Sequence, residues 1–248
     1  MKPKVLVITA TLKPPKEVTH LKRKSISLRL KDYKEALKFY LSLSEKYINK
    51  IVFIDNSNAN ISCLKRIVKE QKHNKEVELI SFNGLDYDPG FGRAYGEFKL
   101  MDYGLKNSKI ISRLSNKDIF WKVTGRLKIL NIEKMISKEE NNIYDLLFDV
   151  YKIPSKWMDL RVYSCSIKGY ISYFEGIYNK LKPINEFTLY KNYILEWSKN
   201  NLIKPRFKIQ PKIYGYRGYD NRKYLSGKLL FKYYLRKTLR ILTPQIWY

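Results

Sequence analysis

Three short apolar runs, each closed by small polar residues or a loop, constrain this chain more than any other feature. Val5-Leu6-Val7-Ile8 ends in Thr9-Ala10-Thr11, and Ile51-Val52-Phe53-Ile54 ends in Asp55-Asn56-Ser57-Asn58. Val77-Glu78-Leu79-Ile80-Ser81-Phe82 leads into a loop over 83–92. Runs of this kind suit strands covered on both faces. Between the first two, Asp32-Tyr33-Lys34-Glu35 has capping-box spacing, and Tyr33, Leu37, Tyr40 and Tyr47 mark a helical face. Between the second and third, Ile61, Leu64, Ile67 and Val68 share another face. Strand, helix, strand, helix, strand with right-handed crossovers predicts a doubly wound α/β sheet. Ligands of such sheets bind beyond the carboxyl ends of the strands.

The pattern continues with a helix over 98–105 and a fourth strand over 119–123. Further strands are expected at 145–150, 161–167 and 205–216, and an amphipathic helix at 184–197. A basic, aromatic-rich helix over 229–242 precedes Pro244. With no repeat and no low-complexity linker, the simplest division is one domain over 1–225 and a tail over 226–248. The domain splits into halves at 1–131 and 132–225. A chain of 248 residues is long enough to bury a core of this kind.

Few common catalytic groups are present. Cys63, Cys165, His20 and His73 are isolated, so zinc spacing is absent and two free thiols are expected. No apolar run approaches the roughly 20 residues needed to span a bilayer. The run after Met1-Lys2-Pro3-Lys4 is too short for a signal peptide and reads as a buried strand.

The net charge of +26 calls for an anionic partner: nucleic acid, an anionic membrane or a phosphorylated substrate. An AT-rich coding bias explains part of the lysine excess. It does not explain the stretch from Lys204 to Arg240, whose one acidic residue is Asp220.

Two segments carry the chemistry. Phe120-Trp121-Lys122-Val123-Thr124-Gly125-Arg126 is a strand ending in two cations, a hydroxyl and a glycine. Two cations in one turn can neutralise a departing diphosphate through charge-assisted hydrogen bonds. Gly90-Phe91-Gly92-Arg93-Ala94-Tyr95-Gly96-Glu97 is a glycine turn entering a helix. It is either a steric necessity of the turn or a set of N–H groups for phosphate or sugar oxygens. Asp86-Tyr87-Asp88 has D-x-D spacing and is the alternative metal site, with Asp86 and Asp88 as ligands. Asp55-Asn56-Ser57 is equally readable as a helix cap.

Taken together, the segments 5–11, 51–58, 77–82, 90–97 and 122–126 resemble the nucleotide-sugar half of a GT-A glycosyltransferase. More specifically, they resemble small bacterial transferases of capsule, O-antigen and lipopolysaccharide clusters, in which K-x-T-G-R stands in place of D-x-D. Asp159-Leu160-Arg161, Asn185-Glu186 and Pro211-Lys212-Ile213-Tyr214-Gly215 fit the same pattern, which extends to about Tyr224.

The resemblance implies a GT-A-like, Rossmann-like α/β sheet and a UDP-, GDP- or CMP-sugar donor. Thr9, Ala10 and Thr11 would line the base, and Asp55, Asn56 and Ser57 would hold the ribose or base. Gly92, Glu97, Thr124 and Gly125 would complete the donor site, with Lys122 and Arg126 facing the diphosphate. No cofactor is required on this view, and the use of a divalent metal stays open.

Inverting sugar transfer needs a carboxylate to take the acceptor proton. Glu186, at a helix start, is the first candidate, followed by Asp159 and then Glu97. The acceptor would be a glycan or a lipid-linked saccharide at the inner face of the cytoplasmic membrane. Phe231, Leu235, Arg236, Leu239 and Arg240 would lie on anionic lipid, with Trp247-Tyr248 beyond them. A nucleic-acid-binding protein and a non-catalytic membrane scaffold are the rival classes. No RNA- or DNA-binding motif supports the first, so nucleic acid is not an expected partner.

Overall fold

The computed structural model describes residues 4–15, 17–18, 21–153 and 155–243. Residues 1–3, His20, Pro244 and Trp247-Tyr248 lie outside them. The chain begins β1 (Val5–Ala10), α1 (Ile26–Leu41), β2 (Lys50–Asp55), α2 (Ser62–Glu70), β3 (Glu76–Ser81) and α3 (Arg93–Asn107). It continues through β4 (Ile119–Thr124), β5 (Lys128–Ile129), α4 (Ile132–Glu139), β6 (Leu146–Tyr151), β7 (Trp157–Ser166), α5 (Ile167–Tyr173) and α6 (Ile177–Lys180). Next come α7 (Glu186–Leu189), a π-helical turn (Tyr190–Ile194), α8 (Leu195–Trp197), β8 (Ile203–Lys204), β9 (Ile213–Tyr214) and α9 (Gly227–Leu242).

Among the described residues the main sheet has seven strands in the order β3-β2-β1-β4-β7-β6-β8. β1 pairs in parallel with β2 on one side and β4 on the other, and β2 pairs in parallel with β3. β7 is the exception, antiparallel to both β4 and β6. The expected α/β sheet, mostly parallel and flanked by helices, is therefore what forms.

The apolar runs are continuous because both faces are covered. Val5 and Val7 of β1 pack with Phe98 and Met101 of α3 on one face, while Leu6 and Ile8 pack with Tyr33, Leu37 and Tyr40 of α1 on the other. Each fully buried Val, Leu or Ile contributes about 1.5–3 kcal/mol over leaving it exposed.

Three expectations need correction. α1 begins at Ile26, with Ser25 as its cap, rather than at Asp32. Asp32 lies inside the helix and receives Arg23 Nε at 2.5 Å and Nη2 at 2.7 Å, so it is spent on a tertiary ion pair. The alternation over 205–216 yields only β9, paired with β5 in a separate two-stranded sheet. The helix expected over 184–197 begins at Glu186 and is interrupted by the π-helical turn.

Candidate functional site

The direction of chain progression across the sheet reverses between β1 and β4, and in open α/β sheets that switch point marks the ligand crevice. Thr9 stands opposite Thr124 in the register, and Gly125 N–H continues the pairing to Thr9 O at 2.8 Å. A side chain at 125 would not fit this approach. An added Cβ would meet Ile8 Cγ2 at 2.6 Å and the Thr9 carbonyl oxygen at 2.8 Å. β7 runs opposite to β4, so its first residues, Trp157 to Arg161, sit at the same end of the sheet as Thr124.

On the β2 side of the crevice, Asp55 is fully buried and organises the loops. Its carboxylate accepts from Leu12 N–H at 2.8 Å, from Ser57 Oγ at 2.8 and 2.9 Å, from Ala59 N–H at 3.2 Å and from Ser81 Oγ at 3.1 Å. Asn56 accepts from Thr11 Oγ1 at 2.7 Å, and its own N–H reaches the Ala10 carbonyl at 3.1 Å. Arg29 Nε donates to the Thr11 carbonyl at 2.8 Å, and Thr11 N–H donates to Tyr33 Oη at 3.0 Å. The loop after β1 is thus pinned from β2 and from α1. Sequence reasoning names Asp55 and Asn56 but does not connect Arg29 and Tyr33 with this loop, which they reach only through the packing of α1.

The crevice floor carries a charged pair. Lys122, expected to face the diphosphate, is completely buried in β4. Its ammonium bonds Glu97 Oε1 from α3, donates to the Leu160 carbonyl at 2.6 Å and lies 5.3 Å from the Tyr163 ring centroid. Thr9 Oγ1 donates to the same Glu97 oxygen at 3.1 Å. Glu97 keeps 23% of its side-chain exposure. Lys122 therefore fixes Glu97 and clamps α3 to the sheet.

Arg126 is different. It is half-buried and donates to the Tyr216 carbonyl, and among the described residues no carboxylate lies within ion-pair distance of it. Burial holds its guanidinium below its ordinary value. Of the two cations in the motif, Arg126 is the one left wanting an anion.

Asp159 is also completely buried. Arg161 engages both its oxygens, Nε at 2.8 Å and Nη2 at 2.5 Å, so this carboxylate anchors a cation rather than facing an acceptor. Glu186 opens α7 beside the start of α3, where Arg93 Nη2 donates to it at 2.9 Å. Arg93 is 60% exposed, and ion pairs of that kind are weak and exchangeable.

Gly92 has φ 97°, and its Cβ position lies 2.3 Å from the Ile184 carbonyl oxygen. Ala94 N–H donates to that same oxygen at 3.1 Å. The glycine turn thus locks the Ile184–Glu186 segment against α3. Asp86 pairs with Lys99 at 2.6 Å, while Asp88 Oδ1 accepts Gly90 N–H at 2.7 Å. Among the described residues no group of three or more His, Cys, Asp or Glu is arranged to hold a metal ion.

The tail helix is oriented differently from the simple surface-helix picture. α9 exposes Phe231, Tyr234, Leu235, Ile241 and Leu242, with Leu239 half-exposed. Arg236 and Arg240 point inward: Arg236 lies 4.0 Å from the Tyr151 ring centroid, and Arg240 forms two bonds to Asp149, at 3.0 and 2.8 Å. Asp149 sits at an irregularity in the β6–β7 pairing and is buried. No described helix is long and apolar enough to cross a membrane.

The sequence matches no protein-family model and no curated protein. Among solved structures it is similar to 4-diphosphocytidyl-2C-methyl-D-erythritol synthase from Anaerococcus prevotii, with TM-score 0.49, 11% identity, 94% of this chain and 98% of that chain covered. The inositol-1-phosphate CTP transferase of T. maritima gives TM-score 0.47 and 9% identity, over 82% of this chain and 85% of that one. Mouse xyloside xylosyltransferase 1 gives TM-score 0.43 and 8% identity, over 100% of this chain and 84% of that one.

Proposed function

We propose that the chain is a glycosyltransferase that moves a sugar, with inversion, from a nucleotide-sugar donor to a lipid-linked or growing surface-polysaccharide acceptor. The observation that carries this reading is Arg126, a half-buried guanidinium that has no carboxylate partner among the described residues and stands at the switch point of a doubly wound sheet. Such a group is matched to a diphosphate, which it binds through two parallel N–H···O bonds. Thr9, Ala10 and Thr11 border the base. Asp55, Asn56 and Ser57 act chiefly by holding that loop in shape. Thr124 and Gly125 bring Arg126 to the crevice.

In this mechanism the acceptor hydroxyl attacks the anomeric carbon, and the bond to the diphosphate oxygen breaks. Glu186 takes the hydroxyl proton after exchanging Arg93 for the acceptor. Arg126 receives the charge that develops on the leaving nucleoside diphosphate. No added metal is needed for that step, and Asp86 and Asp88 stay outside it. The apolar outer face of α9, Phe231 with Leu235, rests on the inner face of the cytoplasmic membrane, where a lipid-linked acceptor is presented.

The test is a thermal-shift panel of UDP, GDP, CMP and their sugars, with and without Mn²⁺ or Mg²⁺. At least one nucleotide is expected to raise the melting temperature without metal. Arg126→Ala is expected to weaken its binding about tenfold, the loss of one charge-assisted contact worth about 1.4 kcal/mol. No shift with any nucleotide, together with no donor turnover, refutes the reading.

A further inference from the structure

Beside the crevice, at the ends of β6 and β7, a pair of stacked aromatic rings is flanked by cations from two elements. Arg161 comes from β7, and Lys232 and Arg236 come from α9. Lys232 and Arg236 are four residues apart, one helical turn, and so share a face. Arg236 lies 4.0 Å from the Tyr151 ring centroid, Tyr151 stacks on Trp157 at 4.7 Å, and Arg161 lies 5.4 Å from the Trp157 centroid.

The carboxylates here are already engaged. Asp159 is held by Arg161 through both oxygens, and Asp149 by Arg240 through both. Asp220 is shared by Arg217 at 3.4 Å and Arg222 at 3.7 Å. Among the described residues Lys232 and Arg236 have no ion-pair partner. Burial and then the charges of Arg236, Arg217 and Arg161 hold the Lys232 ammonium below its ordinary value. The rings attract Arg161 and Arg236, but gathering like charges costs free energy that an anion would recover. β6 is two strand spacings from β4, roughly 10 Å, so Tyr151 and Arg236 lie beside the Arg126 crevice rather than inside it.

We propose that Arg161, Lys232 and Arg236 form a second anion site, which takes a phosphate or diphosphate group on a ligand other than the donor nucleotide. Resting on the glycosyltransferase reading, that ligand is the acceptor, recognised by its phosphate. The site also accounts for the acid-poor stretch from Lys204 to Arg240, which coding bias leaves unexplained.

Calorimetric titration of the full chain with inorganic pyrophosphate, with UDP saturating the crevice, tests this. The variants are Arg126→Gln and the double variant Lys232→Gln/Arg236→Gln. The double variant is expected to lose pyrophosphate affinity by at least about tenfold, with UDP affinity and melting temperature nearly unchanged. Arg126→Gln is expected to do the reverse. Cosedimentation with phosphatidylcholine vesicles containing phosphatidylglycerol separates the sources of the phosphate. Vesicle binding lost in the double variant assigns the site to a lipid phosphate, and vesicle binding retained assigns it to a soluble one. Either result supports the site when pyrophosphate affinity has fallen.

Unchanged pyrophosphate affinity in the double variant overturns the proposal. So does abolition of pyrophosphate binding by UDP, which would mean a single shared site. Binding of an oligonucleotide that depends on Lys232 and Arg236, without pyrophosphate binding, overturns it in favour of nucleic acid. If UDP fails to bind while pyrophosphate binding still depends on Lys232 and Arg236, the anion site stands and the donor reading falls.

Discussion

The pair Lys122–Glu97 makes an asymmetric prediction. Lys122 is 0% exposed while Glu97 keeps 23%, so removing either partner strands the other in a different environment. Glu97→Gln leaves a buried ammonium with only a neutral amide, the Leu160 carbonyl at 2.6 Å and the Tyr163 ring. Breaking a buried pair from one side costs about 3–5 kcal/mol, and the retained amide oxygen argues for about 3. Lys122→Met instead leaves a carboxylate that reaches water and still receives Thr9 Oγ1 at 3.1 Å. Its main loss is the unpaired Leu160 carbonyl, about 1–2 kcal/mol. The double variant removes both charges and is expected to cost no more than Lys122→Met, a coupling of at least about 3 kcal/mol.

Urea unfolding followed by the fluorescence of buried Trp121, the residue before Lys122, reads these values directly. In thermal unfolding Glu97→Gln is expected to lower the midpoint by about 6–12 °C. Equal costs for the two single variants within about 0.5 kcal/mol, or additive costs in the double, would refute the assignment of Lys122 as a buried structural cation.

Other expectations follow from the same contacts. Arg240→Ala strands the buried carboxylate of Asp149 and is expected to cost about 3–5 kcal/mol in urea unfolding, whereas the half-exposed Arg236 can be replaced with little loss. Gly92→Ala combines φ 97° with a contact of 2.3 Å to the Ile184 carbonyl. It is expected to destabilise by about 1–3 kcal/mol in thermal unfolding and to shift Glu186, lowering turnover more than donor binding. The Glu76 carboxyl is held below its ordinary value of 4.5 by hydrogen bonds from Lys50 and then Arg113. Its contribution is therefore complete above that value and is lost as pH falls through the depressed one. Glu76→Gln is expected to flatten the acid limb of the stability curve.

The sheet was legible because its central strands are apolar on both faces, and an apolar run of that kind is a local signal. The start of α1 was not legible. Asp32 and Glu35 have capping spacing, and nothing nearby shows that Arg23 takes Asp32 out of that role. Lys122 reads as a strand-end cation facing the diphosphate, yet it stands fourth in the six residues of β4 and is completely buried. Its position within an apolar run was the available clue. In α9, helical spacing shows which residues share a face but not which face docks. The inward turn of Arg236 and Arg240 depends on Asp149 and Tyr151, which lie far away in the sequence. Glu186 and Arg126 stand out in the sequence because Glu186 begins α7 and Arg126 lies in the turn between β4 and β5, where sequence punctuation is strongest.

The place of β4 in the middle of the sheet governs how the molecule can be made. Thr9 and Val123, which meet across the switch point, are separated by 114 positions. Until β4 arrives, one edge of β1 presents its backbone N–H and C=O groups unpaired to the growing polypeptide. β4 in turn is covered on its far side only when β7 has been synthesised. Unpaired edges of this kind invite association with other chains. The first half of the chain is therefore no independent folding unit, and a fragment ending before residue 119 is expected to aggregate. The candidate site is completed late, when distant segments close the centre of the sheet.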